Sequence, residues 1–593
     1  MIKARTEARQ QSTVAARHRR AHDEDGGFIL PWFALLLIVM VAMAGFGVDV
    51  WNWWYSGQKL QRAADAGALS GVVFLPANFN STLPSAESTA FDAVNINGYS
   101  PAQTTVKVGA RPNQLEVTIT QTVANNFASL IGVNSTDITR TAVAEFNAPI
   151  KMGSPTADLG CDPEHGCSAK HWLNIGAPNV NQQTGDRYAD LNNCSGSWGC
   201  AGNVNSEYIG TNYVYTVEFP NAVSNVDIQI YDPEYANGAT NCDNQWISPA
   251  DLGTLQGLAP YSSDPNFAAR YGGGQGDFCT GDDGTNLGAP QPTAWIVRDS
   301  SVSPFQPLAN PVVTGPVGSG PSGAASPCAH QFKGYNPDSG SYFFDLLNPG
   351  SGQYDDDFAK SFHQYYTMCH INSAPAGAKF FIQVRSNLKF VPGSQNDPSY
   401  LANGAQDLSI GGQNRYSVRA VNSGTSTIVA GANTYAETHL PIYSNTVGGQ
   451  SPNFYLARLL PGGGASGRVL HLEFFDIGDV GGGTTTIAVT PPNDPGFAVF
   501  TPTCAWSANG GAMPASTIAG CTVSGITSNT YPSGFQGVLV RVDIKVPGNY
   551  TCDVVKPSGC WFRIQMSYTS GTQANDTTTW DATIGGDPVR LVK

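Results

Sequence analysis

The chain has 593 residues, with 31 Lys and Arg against 45 Asp and Glu and a formal charge of −14. Charged residues make up only 13 %, while 27 Phe, 23 Tyr and 11 Trp are too many apolar rings to leave in water, which excludes a disordered acidic chain. Helical heptad composition is missing and the bulk is acidic, so a coiled coil and a nucleic-acid partner are excluded as well.

The charge is unevenly placed. Residues 1–62 hold eight Lys and Arg and five acids, leaving 23 bases and 40 acids for the rest. Residues 1–27 form a basic arm. Residues 28–48, FILPWFALLLIVMVAMAGFGV, are 21 residues without a charge, and about 20 apolar residues in a helix cross the hydrocarbon core. Six Lys and Arg precede the run, which predicts a cytoplasmic N-terminus. Asp49 and the cluster Trp51, Trp53, Trp54 and Tyr55 follow it, as in an interfacial aromatic belt. A cleaved signal peptide is the alternative. The run is longer than a signal core of ~7–15 residues, and its one small-x-small site, Ala42-Met43-Ala44, lies inside it. The expectation is a retained anchor, a single-pass cell-membrane protein whose partner is the lipid bilayer, with the acidic bulk extracellular.

Residues 49–149 predict an α+β module. Leu60, Ala64, Ala68 and Leu69 recur at helical spacing past the membrane. The small residues Ala63, Ala64, Ala68 and Gly71 offer a face that a partner helix can approach closely. A second helix is predicted over 85–96, capped by Ser85 or Ser88 and stopped by Asn97-Gly98. Alternation predicts strands at 104–108, 115–120 and 137–146, with a short helix at 127–131.

Together, GFGVDVWNWWYSGQKLQRAADAGALSG and EVTITQTVANNFASLIGVNSTDITRTAVAEF resemble the N-terminal region of TadE/TadG-like proteins of the tight-adherence (Flp-type) pilus assembly system. The resemblance covers residues 28–148, near a fifth of the chain. It implies a pilin-like membrane protein that assembles or anchors a surface pilus, with other pilus-assembly membrane proteins or pilins as partners. Related pilins are cut after Gly and before an apolar residue, with Glu at the fifth mature position. Gly27-Phe28 fits the cut, but the fifth position is Trp32, so the anchor is expected to stay intact.

Beyond residue 149, short alternating strands and long Gly/Pro turns predict two exported β-sandwiches, at 150–435 and 436–593, in a mainly β protein. The two regions share a plan: a strand pair, an Asp-bearing corner (Tyr231-Asp232-Pro233 and Phe475-Asp476-Ile477-Gly478-Asp479), then cysteine-stapled loops, which suggests a diverged repeat. All twelve Cys lie between Cys161 and Cys560, an even number that predicts disulfides in an oxidising space. Neighbour pairing gives Cys161/Cys167, Cys194/Cys200, Cys242/Cys279, Cys328/Cys369, Cys504/Cys521 and Cys552/Cys560, although spacing alone leaves connectivity open. Zinc is disfavoured, since there is no C-x2-C and the one H-x3-H, His18/His22, sits in the basic arm.

Chemistry-bearing candidates are few. Asp299, Ser301 and Ser303 match the D-x-S-x-S metal loop that some TadG-like proteins carry, but Pro304 and Pro307 follow where that site needs a helix, and a hydrogen-bonded turn is the plainer meaning. Structural calcium is conceivable at Asp282/Asp283, Asp355/Asp356/Asp357 or Asp476/Asp479, against the commoner meaning of solvated turns. The chain has no G-x-S-x-G, H-E-x-x-H or P-loop motif. The expectation is therefore no enzyme, no cofactor, and a structural or adhesive role in the pilus. The alternative is a membrane-tethered carbohydrate- or calcium-binding module. For that alternative, Tyr231/Tyr235, Tyr365/Tyr366, Trp561/Phe562 and Trp506 would stack on a surface glycan, whereas in a sandwich core they would be buried.

Overall fold

The computed structural model describes residues 3–593 apart from 76–78, 81–83, 111–113, 147–149, 168–170, 193–203, 237–248, 259–260, 272–277, 283–290, 303, 305, 316–325, 336–355, 447–450, 462–466, 479, 482, 499–501, 509–510, 513–517, 520, 528–534, 570–572, 586–588 and 593, with backbone alone for 3–29. The protein is mainly β, with one long N-terminal helix and two large antiparallel sheets. It divides into two units, 1–148 with 586–593, and 149–585.

In the first unit, helix α1 (Lys3–Gly71) is continuous for 69 residues. From Leu30 to Val50 its apolar side chains are almost all exposed, whereas Leu60, Ala63, Ala64 and Ala68 are fully buried. The buried half packs on helix α2 (Ala86–Ile96) and on strands β1 (Thr104–Val108), β2 (Gln114–Ala124) and β3 (Ser135–Phe146). Ser85 and Ser88 close a capping box at the start of α2. Leu115, Val117 and Ile119 alternate inward, while Thr118–Thr141 and Thr120–Thr139 hydroxyl pairs, each 2.9 Å apart, line the other face.

Two features differ from expectation. The small-residue face Ala63, Ala64, Ala68 and Gly71 does admit a helix closely, but that helix is α2 of the same unit. A Cβ on Gly71 would lie 2.4 Å from the Ala86 carbonyl oxygen, so the face is used internally and is not open to a partner. The strand Val589–Leu591, inside the span 436–593 assigned to the second sandwich, instead pairs with β3 (Val589 with Phe146, Leu591 with Ala144). The second unit is thus inserted between two neighbouring strands of the first.

Among the described residues, the second unit is built around two matched sets of nine strands, with further short strands beside them. The first set is β4 (Lys151–Ser154), β5 (His171–Gly176), β6 (Tyr213–Phe219), β7 (Val223–Tyr231), β8 (Thr293–Asp299), β9 (Ala329–Phe332), β10 (Tyr365–Ala374), β11 (Ala378–Arg385) and β12 (Gln413–Asn422). The second is β13 (Asn433–Ala436), β14 (Leu440–Thr446), β15 (Asn453–Arg458), β16 (Val469–Phe475), β17 (Thr485–Thr490), β18 (Thr522–Ile526), β19 (Leu539–Lys545), β20 (Trp561–Tyr568) and β21 (Gln573–Ile584). One sheet runs β10-β7-β12-β5-β14-β21-β16-β19 and continues into the edge strand Thr503–Ala508. The other runs β9-β8-β11-β6-β13-β4-β15-β20-β17-β18. Both orders read the same from either end once each strand is replaced by its counterpart nine places on. Each set alone has the two four-stranded layers of a jelly roll, and the sheets are continuous through both. At the centre, equivalent residues Leu173 and Ile442 face each other across β5 and β14.

The leading strands are exchanged. β4, which precedes β5, pairs with β15 of the second set, and β13, which precedes β14, pairs with β6 of the first. This exchange locks the two sets into one unit with one contiguous core. The position 435/436, predicted as a sandwich boundary, falls within β13.

Local details repeat as well. Asp232 after β7 and Asp476 after β16 both adopt left-handed backbone, with φ of 51° and 61°. The Asp232 N–H donates to the Gln364 carbonyl while its Oδ1 accepts from His363 N–H. Asp476 does the same with Val538 and Gly537. Cys328 before β9 and Cys521 before β18 occupy matching positions, each carbonyl accepting from the neighbouring strand (Val297 and Val489 N–H, both 2.8 Å). The bonds Cys328–Cys369 and Cys504–Cys521 each staple one sheet to the other. Each contributes ~2–4 kcal/mol in the usual range for such links. Cys161–Cys167 and Cys552–Cys560 close local loops. These four pairs match the neighbour pairing. Cys279 is disulfide-bonded, while Cys194, Cys200 and Cys242 lie outside the described residues.

Deletion of residues 586–593 leaves the end of β3 without its outer neighbour. Amide exchange in 142–146 should then quicken by roughly tenfold or more, with exchange in β5 and β14 unchanged. Unchanged protection of 142–146 would contradict the pairing.

Candidate functional site

The first candidate surface lies on α1 where the apolar run ends. Gly45, Asp49 and Trp53 are spaced by four and share one helix face. Against this face lies the segment Asn125–Val133, which holds a one-turn 3-10 helix, Ala128–Ile131. Gly45 admits the Phe127 ring, and a Cβ there would sit 2.4 Å from Phe127 Cδ1. Asp49 is fully buried, and its carboxylate accepts three backbone N–H groups: Asn126 at 2.7 Å, Phe127 at 2.9 Å and Ala128 at 2.7 Å. Those amides begin a helical turn and have no partner within it, so a carboxylate is the natural cap. Trp53 Nε1 donates to Asn125 Oδ1 at 2.8 Å, and Asn125 Nδ2 donates to Val133 O at 3.0 Å. Trp51, Trp54 and Tyr55 face outward from the helix, with Trp51 and Tyr55 stacked at 5.2 Å.

Sequence reasoning read Asp49 only as the charge that closes the apolar run. Its spacing from Gly45 and Trp53 was the available signal, but the docking segment lies some 77 residues away.

In the second unit the predicted ligand groups are mostly consumed by the fold. Asp299 Oδ1 accepts from Ser301 N–H at 3.0 Å, a local turn, and the next element is the 3-10 turn Pro307–Ala309. Ser303 lies outside the described residues, as do Asp283, Asp355 and Asp479. Asp282 is buried and accepts from Ala236 and Arg415 N–H. Asp356 pairs with Lys360, and Asp357 with His330. Asp494 lies beside Cys552 and Cys560, but those sulfurs are bonded to each other. The aromatic pairs are core: Tyr231, Tyr235, Tyr366, Trp506, Trp561 and Phe562 are buried, and Tyr365 lies under the Arg419 guanidinium at 3.3 Å. They form no exposed stacking face.

A buried polar cluster sits behind the first Asp corner. Burial pushes the Asp232 carboxyl up to about 7, against the Thr280 hydroxyl (2.7 Å) and His363 N–H that favour its charge. Burial and the Asp232 charge together push Asp282 well above the usual carboxylate range. Burial depresses His363 to about 4, and its Nδ1 meets the Arg270 carbonyl oxygen at 2.8 Å, so the ring is neutral at pH 7. Elsewhere a polar cleft of about 350 Å3 is lined by residues of both sets, among them Asp158, Asp162, His165, His171, Asn453 and Tyr455.

The exposed apolar helix leading into a helix-on-sheet module defines a membrane-anchored protein with a single candidate span among the described residues. Residues 27–73 match the family model described as Putative Flp pilus-assembly TadE/G-like, so the N-terminal region is TadE/G-like. No curated protein and no solved structure matches the chain.

The raised Asp232 carboxyl has a consequence for stability. A carboxyl whose pKa rises on folding supports the fold fully below its unfolded value near 3.8 and loses that support as pH climbs through about 7. Asp232→Asn keeps the shape and tolerates the positive φ. Its Tm relative to the unsubstituted protein should therefore increase by several degrees between about pH 4 and pH 7, then level off. His363 works in the opposite sense, and its ring faces position 232. With its pKa depressed to about 4 it is neutral in the fold above that pH, and loss of a carboxylate beside it only favours the neutral ring, so its contribution cancels over this range. A Tm difference independent of pH would contradict a protonated Asp232 in the fold.

Proposed function

We propose that the chain is a pilin-like, membrane-anchored component of a tight-adherence (Flp-type) pilus system, acting in assembly or anchoring of the surface pilus. The observation that carries this reading is a coincidence of boundaries. The family match at 27–73 spans α1 from the membrane run through its packed half. The role is structural or adhesive rather than catalytic. In support, the described corner carboxylates Asp49, Asp232, Asp282 and Asp476 accept backbone N–H groups within the fold, and no bound cofactor is invoked. The basic arm lies in the cytoplasm, consistent with the Lys and Arg excess before the span. The double jelly roll, bridged by disulfides, then lies outside the cell. Partner membrane proteins or pilins meet the exposed stretch of α1 between Leu30 and Trp54, since the Ala63–Gly71 face is already filled by α2.

A second reading, a tethered binder of carbohydrate or calcium at the cell surface, draws on the polar cleft between the two strand sets. Under that reading α1 is merely an anchor. In the native host, exchange of residues 30–44 for an unrelated apolar helix separates the two. The pilus reading expects surface pili to fall to the level of a strain lacking the chain, with the protein still in the membrane. Normal piliation in the strain lacking the chain would overturn it, and normal piliation with the exchanged helix would favour the anchor reading.

A further inference from the structure

The segment docked on Gly45, Asp49 and Trp53 carries two of the most exposed apolar side chains outside α1. Leu130 is 81 % exposed and Ile131 82 %, with Phe127 and Val133 also exposed beside them. Residues 125–136, NNFASLIGVNST, contain no charge. The turn is held on α1 at the level of Gly45 to Asp49, where the uncharged run ends at Val48. The exposed aromatics Trp51, Trp54 and Tyr55 lie one to two helical turns beyond. The apolar tip is therefore continuous with the exposed helix surface and sits at the depth where lipid gives way to water.

The backbone of the turn suits that depth. Unpaired N–H groups are costly near hydrocarbon. Here the amides of 126–128 are taken by the Asp49 carboxylate. Leu130, Gly132 and Val133 N–H donate to the carbonyls of Phe127, Ser129 and Ala128. Every one of these polar groups is satisfied without water, while the side chains at the tip have no protein to cover them.

We propose that the turn Ala128–Ile131 is a second membrane contact, with Leu130 and Ile131 inserted into the lipid interface on the side where α1 leaves the bilayer. The occupant of this apolar surface is lipid. This rests on membrane anchoring of α1, not on a pilus role. With two points of contact, the helix and the tip, the module is fixed in depth and in rotation about the helix axis, which a lone span leaves free.

The test uses the full chain in phosphatidylethanolamine/phosphatidylglycerol nanodiscs with the photocrosslinker p-benzoylphenylalanine at position 130, 131 or 96. Ile96 is 85 % exposed but lies at the end of α2, well along the packed half of α1 from the membrane run. All three sites face outward, so the substitutions disturb no packing, and intact-mass detection of the disulfides checks folding. The expected result is at least ~fivefold more acyl-chain adduct at 130 and 131 than at 96. Equal lipid adduct at all three positions, or adducts at 130 and 131 formed with protein rather than lipid, would overturn the proposal.

Discussion

The protein is organised by what a bilayer refuses to hold: bare polar backbone and unpaired charge. From Leu30 to Ala44 the long helix presents apolar side chains with no protein against them, an arrangement suited to hydrocarbon rather than water. Asp49, the first charge after the run, meets that constraint by burial against three amides. One carboxylate thus ends the apolar run, caps a turn and ties the strand connection 125–133 to the helix. Beyond it, small residues replace large ones on the inward face, and the same helix changes from a lipid-facing rod into the core of an α+β module.

The inserted unit solves a different problem. A sandwich with open edges invites pairing with other chains. Here two jelly rolls join edge to edge through β5–β14 and through the exchanged strands β13 and β4, so the inner edges vanish into continuous sheets. The exchange makes each set incomplete without the other, and this is why 149–585 is a single compact unit. The matched corners at Asp232 and Asp476 and the matched cysteines at 328 and 521 place the same devices at the same points of both sets.

Much of this was legible from residue order because the signals were local. The apolar run, the α2 cap at Ser85 and the strands of the first unit follow from periodicity and capping residues, whereas the cysteine spacing left connectivity open and the four described bonds coincide with neighbour pairing. The two Asp corners hinted at repetition, yet the palindromic sheets were hidden, since pairing of β4 with β15 joins residues some 300 apart. A still longer separation, some 440 residues, concealed the return of Val589–Leu591 to β3. The alanine face misled for a physical reason: small residues signal close approach but not whose helix approaches. Asp49 was misread because its partners are backbone amides, which any sequence supplies.

In the mature protein the apolar run of α1, Leu30 to Val48, resides in lipid. Alkaline carbonate extraction of membranes containing the full chain, with intact mass determined on the retained material, tests it most directly. The chain should stay in the membrane pellet and retain residues 28–48. A soluble chain, or one whose mass shows that it begins after residue 48, would contradict it.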